Sequence, residues 1–296
     1  MIGMALTKYY MEQGVTVYAV YRPDSKRADR IPKSDMVIKI PCDIKDLLRL
    51  TGPNIEWMNC DTFFHLGWIG TTGEERNDPL VQERNIEYTL EAVQLAKRVG
   101  CKVFVGTGSQ AEYGPTDSVL TADTPAYPIN SYGTAKLAAG DLSRILCSQY
   151  GIKHIWTRIL SVYGPGDTEK SIIMQAIKAF SRGEDFSMTL GEQIWDYIYS
   201  EDAAKIMALL AEKGEDGRVY CVSSGKAQEL YKYIEIIKNK LSPKSELLRG
   251  ALPYPEGQVM HLVSDAAYKD IIGYEPETTF EEGIDKTVFW INSKKS

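Results

Sequence analysis

Two periods alternate along the first half of the chain. Short runs of β-branched and aromatic residues, at Val15–Arg22, Met36–Ile40, Thr62–Leu66, Lys102–Thr107 and His154–Leu160, predict strands. Between them lie stretches with apolar positions at helical spacing: Gly3–Gln13, Pro79–Val99 and Ser131–Tyr150, the last followed by Gly151, which suits a helix stop. Alternating strands and helices predict a parallel sheet covered on both faces. After Gly164 the elements shorten. Helices are expected over Ser171–Arg182 and Glu201–Glu212, mixed with isolated strands and the turn clusters Gly214–Gly217 and Leu252–Pro255. The chain reads as α/β and doubly wound, with a sheet-bearing core over residues 1–163 and a smaller lobe over 164–296. The lobe has interleaved segments, and no linker separates it from the core. Ligands of open parallel sheets bind outside the carboxyl ends of the strands, so the cleft there is the expected site. The chain opens on a helix at Gly3, where a doubly wound sheet ordinarily opens on a strand and a glycine turn.

Composition adds exclusions. The 34 Lys and Arg against 40 Asp and Glu give a formal charge of −6, with no basic tract. That argues against nucleic acid or an anionic membrane surface as a partner. No apolar run approaches the ~20 residues of a spanning helix. The opening MIGMALTKYYMEQG has neither a basic leader nor a long apolar core, so it reads as a helix rather than a signal peptide. Five scattered cysteines without a CxxC pair, and three histidines that stand apart, give no metal site. Reduced thiols in a cytoplasmic protein are expected.

The chemistry centres on Tyr132-Gly-Thr-Ala-Lys136. Positions i and i+4 share a helical face, so a phenol and an ammonium can point into one pocket. A nearby cation favours the phenolate of a group whose free pKa is about 10, which makes the pair a candidate proton donor and acceptor. Upstream, a strand ends in the small-residue loop Gly106–Gly114, which contains Thr107, Ser109, Gln110 and Tyr113. Downstream, another ends in Arg158–Gly166, which contains Ser161.

With these segments in place, the sequence resembles the extended short-chain dehydrogenase/reductases of the NAD-dependent epimerase/dehydratase type that act on nucleotide sugars. The matching features run in order across nearly the whole chain: Gly14, Cys42-Asp43-Ile44, Phe64-His65-Leu66-Gly67-Trp68, Asn85, Ser109 with Tyr113-Gly114, and Tyr132 with Lys136. They continue through Tyr163-Gly164-Pro165, Trp195–Tyr199 with Asp202-Ala203, and Asp265, Gly273–Pro276 and Glu282–Ile284. The resemblance implies a Rossmann-type core. It implies Tyr132 as acid/base, Lys136 as the group that lowers its pKa and holds the nicotinamide ribose, and Ser109 as the hydrogen-bond partner of the reacting sugar oxygen. Asp43 and Ile44 would contact adenine; Leu66, Gly67, Trp68 and Thr107 would line the dinucleotide. Gln110, Tyr113, Ser161 and Trp195 would face the substrate. Trp195 replaces an arginine that many relatives use for the substrate diphosphate, and His65 is expected only to pack at a strand end.

Arg22 stands at the end of the second strand of such a core, where an acid selects NAD and an arginine accommodates the phosphate of NADP. NADP is therefore expected, with NAD as the alternative. Gln110-Ala111 after Ser109, where 4,6-dehydratases carry an Asp-Glu pair, argues against a dehydratase. The segments around Ser109 and Trp195 resemble reductases of nucleotide-linked 4-keto-6-deoxyhexoses, the abequose-type synthases. A 4-epimerase with tightly held NAD, and a non-catalytic dinucleotide-binding protein, remain alternatives. A homodimer through the helix Ser131–Tyr150 is expected. The resemblance also implies a G-x-x-G-x-x-G turn, of which only the last glycine, Gly3, is matched. The first strand and most of that turn are expected to be missing, which would leave two neighbouring strands unpaired. Either the sequence starts at an internal methionine of a longer protein, or the chain is truncated and binds cofactor weakly or not at all.

Overall fold

The structure, a computed structural model, describes residues 1–50 and 60–294. In chain order the core elements are α1 (Ile2–Glu12), β1 (Val17–Tyr21), β2 (Val37–Pro41), β3 (Thr62–His65), α2 (Pro79–Arg98), β4 (Val103–Ser109), α3 (Ser131–Tyr150) and β5 (Lys153–Ile159). There follow β6 (Ser161–Tyr163), α4 (Ile172–Phe180), β7 (Phe186–Met188), β8 (Ile194–Trp195), β9 (Tyr197–Tyr199), α5 (Ser200–Lys213) and β10 (Arg218–Val222). The chain closes with β11 (Gln228–Glu229), α6 (Leu230–Leu241), β12 (Leu247–Arg249), β13 (His261–Leu262), α7 (Tyr268–Ile272) and α8 (Phe280–Ser293). The predicted strands and helices are all present, with ends shifted by at most two residues. β4 runs on to Ser109 because its ladder with β5 continues to the pair Ser109 and Ile159.

The parallel strands stand in two pieces. β1 pairs with β2, and β3, β4, β5 and β10 form a second sheet in the order β10-β5-β4-β3. Among the described residues no strand joins β1 to β3. In the doubly wound order 3-2-1-4-5-6 that position belongs to the first strand. Successive residues of β4 serve opposite faces. Val105 packs with Ile206, Met207 and Leu210 of α5. Phe104 packs with Val93 and Leu95 of α2 and Cys147 of α3. α1 lies on α5 through Leu6 and the small residues Ala5, Ala204 and Ala208, which allow close approach. A further core gathers Tyr163, Phe180, Met188, Ile234 and Ile284 from β6, α4, β7, α6 and α8. The remaining strands form three small sheets, β6 with β9, β7 with β12, and β8 between β11 and β13.

Candidate active site

The site begins with how α3 is started. The Asn130 side chain accepts from Gly133 N–H at 2.8 Å, the preferred N-cap contact. The first turn then lies against the 3-10 turn Gln110–Glu112 that ends β4. Gly133 permits this, because a Cβ there would collide with the Ala111 carbonyl. The packing brings Tyr132 of α3 beside Ser109 of β4, where the serine hydroxyl favours the phenolate. Lys136, one turn further on, is buried with 3% exposure and donates to the Thr107 carbonyl at 2.6 Å. Its Nζ lies 3.6 Å from the centre of the Trp68 ring and 5.8 Å from that of Tyr132. The predicted Ser109, Tyr132 and Lys136 therefore share one buried space.

Burial lowers the Lys136 ammonium to about 7; the Glu112 carboxylate works against that fall and Arg76 adds to it. Burial raises the Tyr132 phenol, and hydrogen bonding to Ser109 with the charge of Arg76 pulls it back. The Lys136 ammonium itself is turned to the Thr107 carbonyl and the Trp68 indole.

Arg76 escaped the sequence reading. Its guanidinium carbon sits 3.9 Å above the Tyr132 ring centre, and Nη1 donates to the Thr71 carbonyl at 3.0 Å. The loop that brings it there is fastened to α2 by two buried amides. Trp68 Nε1 donates to Gln82 Oε1 at 2.9 Å, and Gln82 Nε2 donates to the Gly70 and Glu75 carbonyls at 2.8 and 2.9 Å. Asn85 accepts from Ile69 N–H at 2.8 Å and donates to the Ile69 carbonyl at 3.0 Å.

The other expected site residues lie at the carboxyl ends of the strands. Arg22 is exposed at the end of β1, its Nε 2.8 Å from Asp24 Oδ1. Asp43 follows β2 and accepts from Lys45 N–H at 3.2 Å. Ile44 lies against Gly67, where a Cβ would approach its Cδ1 to 2.9 Å, and Gly3 stands beside Leu66. Thr107 donates to the His65 carbonyl at 2.9 Å. His65 is buried, 3.2 Å from Thr89 Oγ1, with burial holding it down at about 3. Gln110 is half-buried in the turn after Ser109. Tyr113 packs in a buried cluster with Leu120, Leu160 and Cys221, and its hydroxyl donates to the Thr121 carbonyl at 2.6 Å. Trp195 Nε1 donates to Ser161 Oγ at 2.7 Å, which joins two of the expected substrate contacts.

Ser109, Tyr132 and Lys136 thus stand together at the carboxyl edge of a parallel α/β sheet. The model of the NAD dependent epimerase/dehydratase family matches residues 1–223, and the chain belongs to this family of enzymes. It is 23% identical to CDP-abequose synthase of Salmonella muenchen, over 96% of this chain and 92% of that protein. Its fold is that of the UDP-glucose 4-epimerase of Thermotoga maritima solved with UDP-glucose, with TM-score 0.87 and 22% identity over 100% of this chain and 97% of the other. The UDP-glucuronic acid 4-epimerase of Bacillus cereus in complex with NAD gives TM-score 0.83 and 18% identity over 100% and 96%. The donor set suits a dinucleotide. An ammonium carries three N–H donors, and among the described residues Lys136 donates only to the Thr107 carbonyl. With a second donor turned to the Trp68 ring, one is left for the hydroxyl of a ribose.

Proposed function

We propose that the chain reduces a 4-keto group on a nucleotide-activated sugar, with NADP(H) as preferred dinucleotide. The observation that carries this reading is the Tyr132 and Lys136 pair buried on one face of α3, with the ammonium on the Thr107 carbonyl two residues before Ser109. The dinucleotide supplies the hydride when bound. Tyr132 gives its proton to the nascent alkoxide, and Ser109 holds the same oxygen. Lys136 holds the ribose of the dinucleotide. Arg22, exposed at the end of β1, supports a 2′-phosphate contact. Asp43, Ile44, Leu66, Gly67 and Trp68 take the rest of the dinucleotide, while Gln110, Ser161 and Trp195 from the two sides of the cleft take the sugar nucleotide. The lobe of residues 164–296 closes the substrate side. A second reading, a 4-epimerase with tightly held NAD, is favoured by the ion pair that already occupies Arg22.

The test is turnover of nucleotide-linked 4-keto-6-deoxyhexoses followed by nicotinamide absorbance, with and without Tyr132→Phe. Turnover in the unaltered chain and its loss in Tyr132→Phe, with dinucleotide binding kept, is the expected result. Full turnover in Tyr132→Phe rejects the mechanism. Interconversion of two sugar nucleotides without net consumption of dinucleotide selects the epimerase.

We also propose a homodimer through α2 and α3, since Leu80, Leu142 and Ile145 are exposed on these helices at 70%, 43% and 46%. Leu142→Glu with Ile145→Glu is expected to give a monomer in sedimentation velocity; an unchanged mass rejects this interface.

A further inference from the structure

Glu112 has no exposed surface, and among the described residues its side-chain oxygens meet three donors. Oε1 accepts from Ser109 N–H at 2.7 Å, and Arg158 Nε donates to Oε2 at 2.6 Å. Trp156 Nε1 lies 3.2 Å from both oxygens. Burial pushes the carboxyl up, and Arg158 leads the groups that pull it back. A guanidinium, an indole N–H and a backbone N–H can be satisfied together only by a carboxylate. Glu112 is therefore the anion of a buried ion pair, closed above by Tyr113, whose ring centre lies 4.4 Å from the Arg158 guanidinium carbon.

This pair ties together the strand and the helix that carry the site. Ser109 and Glu112 form a reciprocal capping box, in which Ser109 Oγ accepts from Ala111 N–H at 3.2 Å. Trp156 reaches from Glu112 to α3, where a Cβ on Gly140 would approach its ring to 2.7 Å. Gly108 of β4 likewise leaves room for the Glu112 carboxylate and the Trp156 indole. The geometry points to Glu112 as a positioning residue of the active site: its buried carboxylate holds the Ser109 N–H beside Tyr132, and it sets an anion at the same strand end whose Thr107 carbonyl receives the Lys136 ammonium. This rests on the catalytic reading of Ser109, Tyr132 and Lys136. The charged and titratable groups that face Tyr132 and Lys136 come from three sides. Glu112 stands at the end of β4, Arg76 in the loop before α2, and His65 at the end of β3, with Arg158 of β5 behind Glu112. Glu112 is the one carboxylate among these groups.

The experiment is a lysine titration in the full chain labelled with carbon-13 at lysine Cε. The resonance that titrates near neutral pH is assigned by its loss in Lys136→Met. In Glu112→Gln this titration is expected to fall by about one pH unit or more. If that variant fails to fold, Glu112→Gln with Arg158→Gln removes both charges and leaves no buried cation unpaired; the titration is then expected to fall in the same direction by a smaller amount, since loss of the guanidinium acts the other way. Glu112→Asp keeps the charge but is one methylene short of Ser109 N–H. It is expected to keep the titration and to lose up to about a hundredfold in kcat at unchanged KM. An unmoved Lys136 titration in the Gln variants, or full kcat in Glu112→Asp, overturns the inference. Tyr132→Phe is assayed beside them. If it turns over fully, the catalytic reading has failed, and the lysine titration still judges Glu112 on its own.

Discussion

Burial lifts the Tyr132 phenol above its ordinary value, while the Ser109 hydroxyl and the Arg76 guanidinium pull it back. Arg76 also lowers the Lys136 ammonium, so one cation acts on both partners. Removing it in Arg76→Gln lets both groups rise. The limb of the kcat/KM profile set by the phenol should therefore move to higher pH, and Arg76→Lys should restore it. A profile that stays in place would mean that Arg76 only covers the ring. A second residue-scale consequence concerns Arg22, which is exposed and held by Asp24 alone among the contacts described. In Arg22→Gln a charge-assisted contact to the 2′-phosphate is lost, so NADPH affinity should fall about tenfold or more while NADH affinity holds. Fluorescence titration with the two dinucleotides measures this. Equal affinities before and after the substitution would remove the argument for NADP.

The helix α3 places the phenol, and two residues at its start decide where. Asn130→Ala removes the cap on Gly133 N–H and should lower stability by about 1 kcal/mol. Gly133→Ala drives a methyl into the Ala111 carbonyl, a backbone atom that cannot step aside. It should lower stability by about 1–3 kcal/mol and should reduce turnover of the fraction that remains folded, because Tyr132 is displaced from Ser109. Urea unfolding and kcat per folded molecule separate the two effects; full activity per folded molecule would show that the contact serves stability only. This helix was legible from the sequence in its period and in the left-handed Gly151 (φ 66°) that ends it, both local features. The Tyr132 and Lys136 pair followed from the same period. Arg76 was not legible, because it reaches Tyr132 only through the loop that Gln82 and Asn85 fasten to α2, a tertiary arrangement without local pattern. Glu112 lay between these cases. Ser109-x-x-Glu112 is a readable capping box, but its partners Trp156 and Arg158 come from β5, and only strand pairing brings them near. Trp68 was expected to line the dinucleotide; that its indole covers the Lys136 ammonium follows from side-chain packing, which spacing along the chain does not encode.

Across the whole molecule, the face of the sheet toward α3 carries a row of flat rings. Phe63 stacks on Phe104 at 5.8 Å, Phe104 on His154 at 6.0 Å, and His154 on Trp156 at 6.0 Å. His65 stacks on Phe104 from β3 at 6.0 Å. Two imidazoles thus sit where a charge is poorly solvated, and burial holds His65 at about 3 and His154 at about 4, against an ordinary value of 6.5. An unfolded chain takes up both protons as pH falls through 6.5; the folded chain does so only near these lower values. The stability that comes from keeping the rings neutral is therefore complete above pH 6.5 and is lost as pH falls toward 4 and then 3. Two lagging protons give a slope of up to about 2.7 kcal/mol per pH unit. His154→Phe keeps a flat ring in the row, and Ser143, now bonded to His154 at 2.9 Å, still has the Gly140 carbonyl at 3.1 Å. Urea unfolding of the unaltered chain should weaken steeply on acidification, and His154→Phe should remove about half of the two-histidine slope. Parallel curves for the two proteins would show that His154 takes up its proton equally in both states, and that the ring row does not hold it neutral.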